Sequence, residues 1–216
     1  MVSAAPKILT NAWVKASWEE FVAIAYGSEH QTRLEKAQFY YDNGFMRIED
    51  MTTGFSHGRN HSLLASAITL YGTIRGLNFI SIDNGTFSKA GERHCQPDLA
   101  YYLGDNLPEI PPDNSPVNIN LYGAPALAIE ISASSLDDDL GNKRLLYERL
   151  NVEEYWVVDV EKANIIAFAI ASGGSRQIQT SAVLPDLQIA VVEEALRRIQ
   201  SANDGEVSRW LLKQFT

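Results

Sequence analysis

Residues 125–159 constrain the fold more than any other part of this sequence. The stretch begins with the almost uninterrupted apolar run PALAIEIS, continues with a helical pattern over residues 139–150, and ends with a second apolar run, EYWVVDV. A continuous apolar run is typical of a strand buried on both faces, and a strand, a helix and a strand in succession indicate a parallel crossover. The pattern therefore predicts an α/β fold in which one central mixed sheet is flanked by helices.

Patterns elsewhere predict further helices and strands. Ser17 and Glu20 stand at the spacing of a capping box, which predicts a short helix over residues 17–26. The stretch AQFYYDNGFMRIED predicts a hairpin that turns at residues 42–44. Additional strands are predicted for LNFISID, CQPDLAYYL and NIIAFAI, turns for NGTFSKAGERH, a loop for GDNLPEIPPDNSPVN, and a helical tail from Val191 onward.

A long helix is predicted for the stretch FSHGRNHSLLASAITLYGTIRG. Ser56 is the expected cap at its start, and either Gly72 or Gly76 is expected to end it. The helical period places the following residues on one face: His57, His61, Leu64, Ile68 and Tyr71.

Length, charge and cysteine content narrow the class of protein. A chain of 216 residues suits a single domain over residues 1–216, with a core at about residues 18–196 and a helical extension at residues 197–216. The net charge of −9 argues against a protein that coats nucleic acid non-specifically, but does not exclude an enzyme with a local basic patch. Cys95 stands alone and no apolar stretch reaches the ~20 residues of a membrane span, so a cytoplasmic protein is expected.

Three charged residues stand where ordinary packing does not explain them. Glu130 lies inside the strand LAIEIS, although burying an ionised carboxylate costs several kcal/mol, and this strand offers no basic neighbour. Lys143 falls on the apolar stripe of the following helix, where a snorkelling lysine is the alternative interpretation. Asp98 follows Pro97 at the start of a strand, where a turn or cap aspartate is the alternative.

Together these three side chains indicate a metal-dependent hydrolytic site. Two carboxylates about 4 Å apart repel each other by about 4 kcal/mol at an effective dielectric of 20, and a divalent cation turns that repulsion into binding. Oxygen ligands from Asp98 and Glu130 favour Mg²⁺ or Mn²⁺. Lys143 would then orient a nucleophile and stabilise charge on a phosphate, which predicts hydrolysis of phosphodiester bonds.

The same residues resemble the PD-(D/E)XK nuclease superfamily and, more closely, the Uma-two family of restriction-endonuclease-like proteins. The resemblance is carried by PDLAYY, LAIEIS and DDDLGNKRLLYERLNVEEYWVVD, and extends from about Trp18 to about Leu196. It implies a restriction-endonuclease-like core in which Asp98 and Glu130 bind metal. Ser132 stands where the superfamily motif has a lysine, and in this family the lysine comes from the following helix, here Lys143.

The resemblance also indicates auxiliary residues. Many superfamily members carry an acidic residue on the first core helix, where this chain has His57 and His61. Glu49 is a candidate substitute, so the number of metals, one or two, stays open. His57 and His61 also have a spacing that can hold zinc, although no third ligand stands out. The alternatives are that both pack on the sheet or that His57 lines the same cleft, which the resemblance favours. Tyr147 lies one helical turn beyond Lys143, which makes it a candidate for the border of the site.

Two functions are consistent with these features of the sequence. The first is a Mg²⁺- or Mn²⁺-dependent endonuclease acting on DNA, for which the resemblance permits a homodimer. The second is a non-catalytic binding or assembly module that retains the fold, which the acidic charge favours. Two aromatic clusters, Phe39/Tyr40/Tyr41 and Tyr101/Tyr102, are candidates for stacking on bases, with packing in the core as the alternative.

Overall fold

The computed structural model describes residues 9–27, 34, 37–50, 54–109 and 113–216. Within these ranges the strands form two six-stranded sheets. The strands are β1 (Trp13–Lys15), β2 (Ala37–Asp42), β3 (Phe45–Asp50), β4 (Phe79–Asp83), β5 (Phe87–Lys89), β6 (Arg93–Cys95), β7 (Leu99–Leu103), β8 (Val117–Asn118), β9 (Leu127–Ser132), β10 (Glu154–Asp159), β11 (Asn164–Ala171) and β12 (Gly174–Ile178). The helices are α1 (Trp18–Tyr26), α2 (Phe55–Ile74), α3 (Ile119–Tyr122), α4 (Leu136–Asp138), α5 (Arg144–Arg149), α6 (Ile189–Arg198) and α7 (Asp204–Phe215).

The core sheet has the strand order β12-β11-β10-β9-β7-β4. Strands β9 and β10 are parallel and the other neighbours are antiparallel, so the sheet is mixed. The crossover between β9 and β10 consists of α4, a π-helical segment at Asp139–Lys143, and α5. The α/β fold and the parallel crossover predicted from residues 125–159 are thus confirmed.

A second sheet, with the order β1-β3-β2-β6-β5-β8, stands beside the one predicted. Its hairpin β2–β3 agrees with the prediction, and Asn43 and Gly44 both have the positive φ that a two-residue turn requires. Strands β5 and β6 lie in the stretch predicted as turns, because strands of three residues are too short to show a period. The stretch CQPDLAYYL is also divided: Cys95 ends β6 and Leu99 begins β7, so residues 96–98 connect the two sheets.

The core sheet is covered differently on its two faces. Alternation along β9 sends Leu127, Ile129 and Ile131 into an apolar cluster with α2, α6 and α7. Ala128 points the other way, into a cluster with Tyr40 of the second sheet and residues of α5. Glu130 shares that second direction, and it is therefore placed between the core sheet, the crossover and the second sheet.

The helix ends test the capping predictions. The capping box of Ser17 and Glu20 is present at α1, as predicted. At α2 the prediction was wrong: Gly54 occupies the cap position, and Ser56 lies inside the first turn, where its carbonyl accepts from Asn60. Gly76, with φ of 66°, follows the last turn, whereas Gly72 lies inside the helix and gives room to Phe79. Among the helices of the described ranges, none has the length and apolar character needed to cross a membrane.

Candidate active site

Most of the predicted site residues line one cavity of about 20 Å³, which we call the Lys143 cavity. A volume of this size holds about one water molecule or small ion. The cavity lies between β7, β9, the π-helical segment and the second sheet. Its lining consists of Gln38, Glu49, Asp50, His57, Asp98, Glu130, Ile131, Ser135 and Lys143.

Glu130 is almost fully buried, at 2% exposure, and is held by two tyrosines. The Tyr147 hydroxyl donates to Oε1 at 2.6 Å. The Tyr40 hydroxyl lies 3.1 Å from the same oxygen and 3.0 Å from the backbone oxygen of Gln96, so its one proton is shared between these two acceptors. Lys143 Nζ lies 3.7 Å from Oε2. Burial raises the pKa of Glu130 well above its usual range and the Asp98 and Asp139 charges add to this, although Lys143 opposes them. Within the described ranges the cation near this carboxyl is thus a lysine, and no arginine is paired with it.

Lys143 is as buried as the glutamate, at 1% exposure, and its ammonium is surrounded by carboxylates. Nζ lies 2.6 Å from Glu49 Oε2 and 2.8 Å from Asp139 Oδ1, and 4.3 Å from the centre of the Tyr40 ring. Burial alone would lower its pKa, but these carboxylates and Glu130 outweigh burial and raise it. Lys143 is therefore a charged residue inside the protein, and the snorkelling alternative is wrong.

Asp139 is a site residue that the sequence patterns did not reveal. It has no exposed surface, and the Ser135 hydroxyl donates to Oδ2 at 2.6 Å while Lys143 contacts Oδ1. An acidic residue in the first turn of a helix is usually explained by the helix dipole, which hid this role. The available signal was the spacing of four residues between Asp139 and Lys143, which suits an ion pair.

Glu49 enters the cavity from β3, in the second sheet. Its Oε2 lies 3.4 Å from Arg47 Nε in addition to the contact with Lys143. Burial would raise the pKa of Glu49, but Lys143 and Arg47 outweigh burial and hold it below the usual range. Arg47 Nε also lies 3.2 Å from Asp138 Oδ2, so this arginine joins β3 to the crossover.

Asp98 has one side-chain oxygen at the turn before β7 and the other at the cavity. Its Oδ2 accepts from the backbone N–H of Ile131 at 2.6 Å, which fixes the start of β7 against β9. Its Oδ1 lies 3.4 Å from Gln38 Nε2 and 3.9 Å from His57 Nε2. One oxygen is thus structural, and the other has only long contacts at the cavity.

The two histidines of α2 have different surroundings. His57 lines the Lys143 cavity, whereas His61 Nε2 lies 3.1 Å from the backbone oxygen of Asp98 and 3.4 Å from Asp83 Oδ1. In the part of the chain that the structure describes, no three His, Cys, Asp or Glu side chains are arranged to enclose a metal ion. A zinc site built on His57 and His61 therefore lacks its remaining ligands.

The donor set at the cavity nevertheless fits a magnesium-type ion. Mg²⁺ is commonly bound by one or two carboxylates, with water and substrate phosphate in the remaining positions. Asp98 and Glu130 supply two carboxylates, and Asp98 Oδ1 has no short contact to give up within the described ranges. The residues thus suit an open two-carboxylate site rather than a closed protein cage.

Comparison with known proteins identifies the family. Residues 18–204 match the family model described as "Uma2: Putative restriction endonuclease". The chain belongs to this family. A solved structure described as "a putative nuclease belonging to DUF820 from Anabaena variabilis ATCC 29413" is similar in fold, with a TM-score of 0.58 at 14% identity, covering 84% of this chain and 99% of that one. No curated protein matches the sequence. The family predicted from the sequence is confirmed, together with a nuclease-like fold.

Proposed function

We propose that this chain is a metal-dependent endonuclease that hydrolyses phosphodiester bonds in DNA. The observation that carries the proposal is the convergence of Asp98, Glu130 and Lys143 on one cavity of about 20 Å³. The family described as a restriction endonuclease and the nuclease-like fold support it.

The charge around the cavity favours a cation there. Glu49, Asp98, Glu130 and Asp139 all lie in or beside the cavity, and Lys143 and Arg47 are the cations that contact this group. Carboxylates that share one cavity repel each other, by about 4 kcal/mol for a pair at about 4 Å and an effective dielectric of 20. Asp98 and Glu130 would hold Mg²⁺ or Mn²⁺, which removes this repulsion.

Residues of the chain would then position the water and stabilise the charge that develops on the phosphate. A cation held by Asp98 and Glu130 would lower the pKa of the attacking water and polarise the phosphoryl group. The Lys143 ammonium, kept charged and in place by Glu49 and Asp139, would orient the water and stabilise the developing negative charge. Tyr147 and Tyr40 would keep the Glu130 carboxyl turned toward the cavity.

Cleavage of DNA tests this proposal directly. Supercoiled plasmid and labelled oligonucleotides are incubated with wild-type protein, Glu130→Gln and Asp98→Asn in Mg²⁺ or Mn²⁺, with exposed Glu161→Gln as the matched control. We expect both site variants to lose at least about a hundredfold in rate, because loss of outer-shell support alone costs about 10- to 100-fold and these two residues are the proposed ligands themselves. Equal cleavage by wild-type and Glu130→Gln would contradict the proposal.

A non-catalytic binding module is the second candidate. It is favoured by the net charge of −9, and by the contacts of Lys143 to Glu49 and Asp139, which are shorter than its contact to Glu130. Calorimetry with Mn²⁺ separates the two functions. A titration of wild-type protein without heat, together with no cleavage, supports the module, whereas binding that is weakened in Asp98→Asn supports the nuclease.

A further inference from the structure

A groove of about 630 Å³ opens directly beside the Lys143 cavity. We infer that this groove binds an unpaired base of the nucleic acid strand whose phosphate lies against the cavity, an inference that rests on the proposed nuclease function. We call it the Trp13 groove, because the indole of Trp13 is its large aromatic lining group. The inference names the substrate class as single-stranded or locally unpaired nucleic acid.

The groove and the cavity are adjacent. Ser135 lines both, and its hydroxyl donates to Asp139, which in turn contacts Lys143. Arg47 also borders both, because it contacts Glu49 in the cavity and Asp138 in the groove. A strand with its phosphate at the cavity therefore has the groove beside it as a space for a neighbouring nucleoside.

Trp13 is positioned as a stacking surface. Its indole N–H donates to Asp138 Oδ1 at 2.7 Å, and the side-chain amide of Asn142 donates to the same oxygen at 3.1 Å. These bonds join β1 to the crossover and fix the orientation of the ring. A fixed, half-buried indole that borders open space suits an unstacked base, whereas the bases of an intact duplex already stack on one another.

The charge of the groove favours a base over a phosphate. Asp137, Asp138 and Arg47 all line it. Asp138 already accepts from Trp13 and Asn142 and lies beside Arg47, so exposed Asp137 is the carboxylate left to contact a base. Carboxylates repel phosphate, but they accept hydrogen bonds from the amino groups of cytosine, adenine and guanine. Thymine presents an acceptor at the corresponding position, so the groove should prefer cytosine to thymine although the two rings are of similar size.

Binding in EDTA tests the inference without any cleavage. The anisotropy of labelled oligo-dC, oligo-dT and a mixed duplex is measured with wild-type protein, Trp13→Ala and Trp13→Phe, and with Trp210→Phe as a control on α7. We expect oligo-dC to bind more tightly than oligo-dT or the duplex. Trp13→Ala should lose about tenfold in affinity for oligo-dC, the usual effect of removing one stacking partner, while Trp13→Phe retains most of it.

The outcomes are distinguishable from those of the nuclease test. Unchanged affinity of Trp13→Ala for oligo-dC would overturn the inference, and so would a preference of the wild-type protein for the duplex. If Trp13→Ala does not fold, the affinities of the wild-type protein for oligo-dC and oligo-dT still test the inference. Equal affinities for the two would overturn it. Loss of cleavage with these affinities intact would instead count against the proposed catalytic role of the cavity.

Discussion

The side chains on the two faces of strand β9 are stabilised in different ways. On one face the side chains of Leu127, Ile129 and Ile131 belong to a large apolar cluster. On the other face Glu130 is just as buried, but it requires two tyrosines and a lysine, and that lysine requires two further carboxylates. The first face is stable by burial alone, whereas the second depends on every member of a polar network being present. Only the second face carries polar groups that could take part in a reaction. Variants that each remove one side chain from one of the two faces test this contrast.

The largest effect is expected for Lys143→Met, which removes the cation from the polar face. Glu49, Glu130 and Asp139 would then be left in the interior without it, so the free energy of unfolding should fall by about 3–5 kcal/mol at neutral pH. Urea unfolding measures this change. Lys162→Met is the control, because the Lys162 side chain is exposed and its buried partner Asp159 keeps two backbone hydrogen bonds, so stability should change by less than about 1 kcal/mol. An unaltered unfolding midpoint in Lys143→Met would mean that the polar face does not depend on its cation.

Leu127→Ala makes the corresponding change on the apolar face. Leu127 has no exposed surface, so its truncation should cost about 3 kcal/mol through lost burial and the cavity left behind. The cleavage rate per folded molecule should stay close to that of the wild type, because Leu127 points away from the Lys143 cavity. Urea unfolding and the plasmid assay check the two parts. A rate that falls with the stability would show that the two faces are coupled.

His94 is a third case, a buried polar group that forms no ion pair within the described ranges. Burial lowers its pKa to about 4, and within the described ranges its Nδ1 has no hydrogen-bond partner. The unfolded state takes up a proton at His94 near pH 6.5, whereas the folded state does so only near pH 4. The stability that the neutral His94 contributes to the folded state is therefore complete above about pH 6.5 and is lost as the pH falls toward 4. The loss amounts to at most about 3 kcal/mol.

Urea unfolding between about pH 7.5 and pH 4.5 measures the effect, with His94→Gln as the comparison. The variant should show a shallower fall in stability below pH 6.5 than the wild type, by up to about 1.4 kcal/mol per pH unit. Carboxylates elsewhere contribute equally to both proteins and cancel in the difference. Parallel curves would show that His94 titrates alike in the folded and unfolded states.

The smallest effect is expected for Tyr147→Phe, which removes one of the two hydroxyls that hold Glu130. Tyr40 still donates to the same oxygen, so the carboxyl should be loosened rather than released. The apparent Mn²⁺ affinity should fall by about tenfold, as is usual when an outer-shell hydrogen bond to a ligand is lost. Calorimetry provides the measurement. Tyr102→Phe is the matched control, since its hydroxyl donates to the carbonyl of Gly123, and an equal loss there would indicate a general effect of lost hydroxyls.

The sequence predicted the parts of the site that follow a regular period. Glu130 was identified because it interrupts a continuous apolar strand, and Lys143 because it falls on the stripe of a helix facing the sheet. Tyr40 was not, since alternation along a hairpin does not show that a hydroxyl reaches a carboxylate on another sheet. The second sheet was missed for a related reason: three-residue strands carry too little pattern, and their pairing over long sequence separations decides that they form.

The π-helical segment has a consequence for how this site tolerates insertions and deletions. Asp139–Lys143 forms a wide turn, and the residues after it are regular α-helix. Removing Gly141 would allow that turn to tighten to α-helical spacing, so that Lys143 stands three residues rather than four after Asp139 and on the same face of the helix. The ammonium would then shift by about the 1.5 Å rise of one residue, although no charged residue had been altered. The position of Lys143 at the candidate site therefore depends on chain length between two fixed points as well as on residue identity.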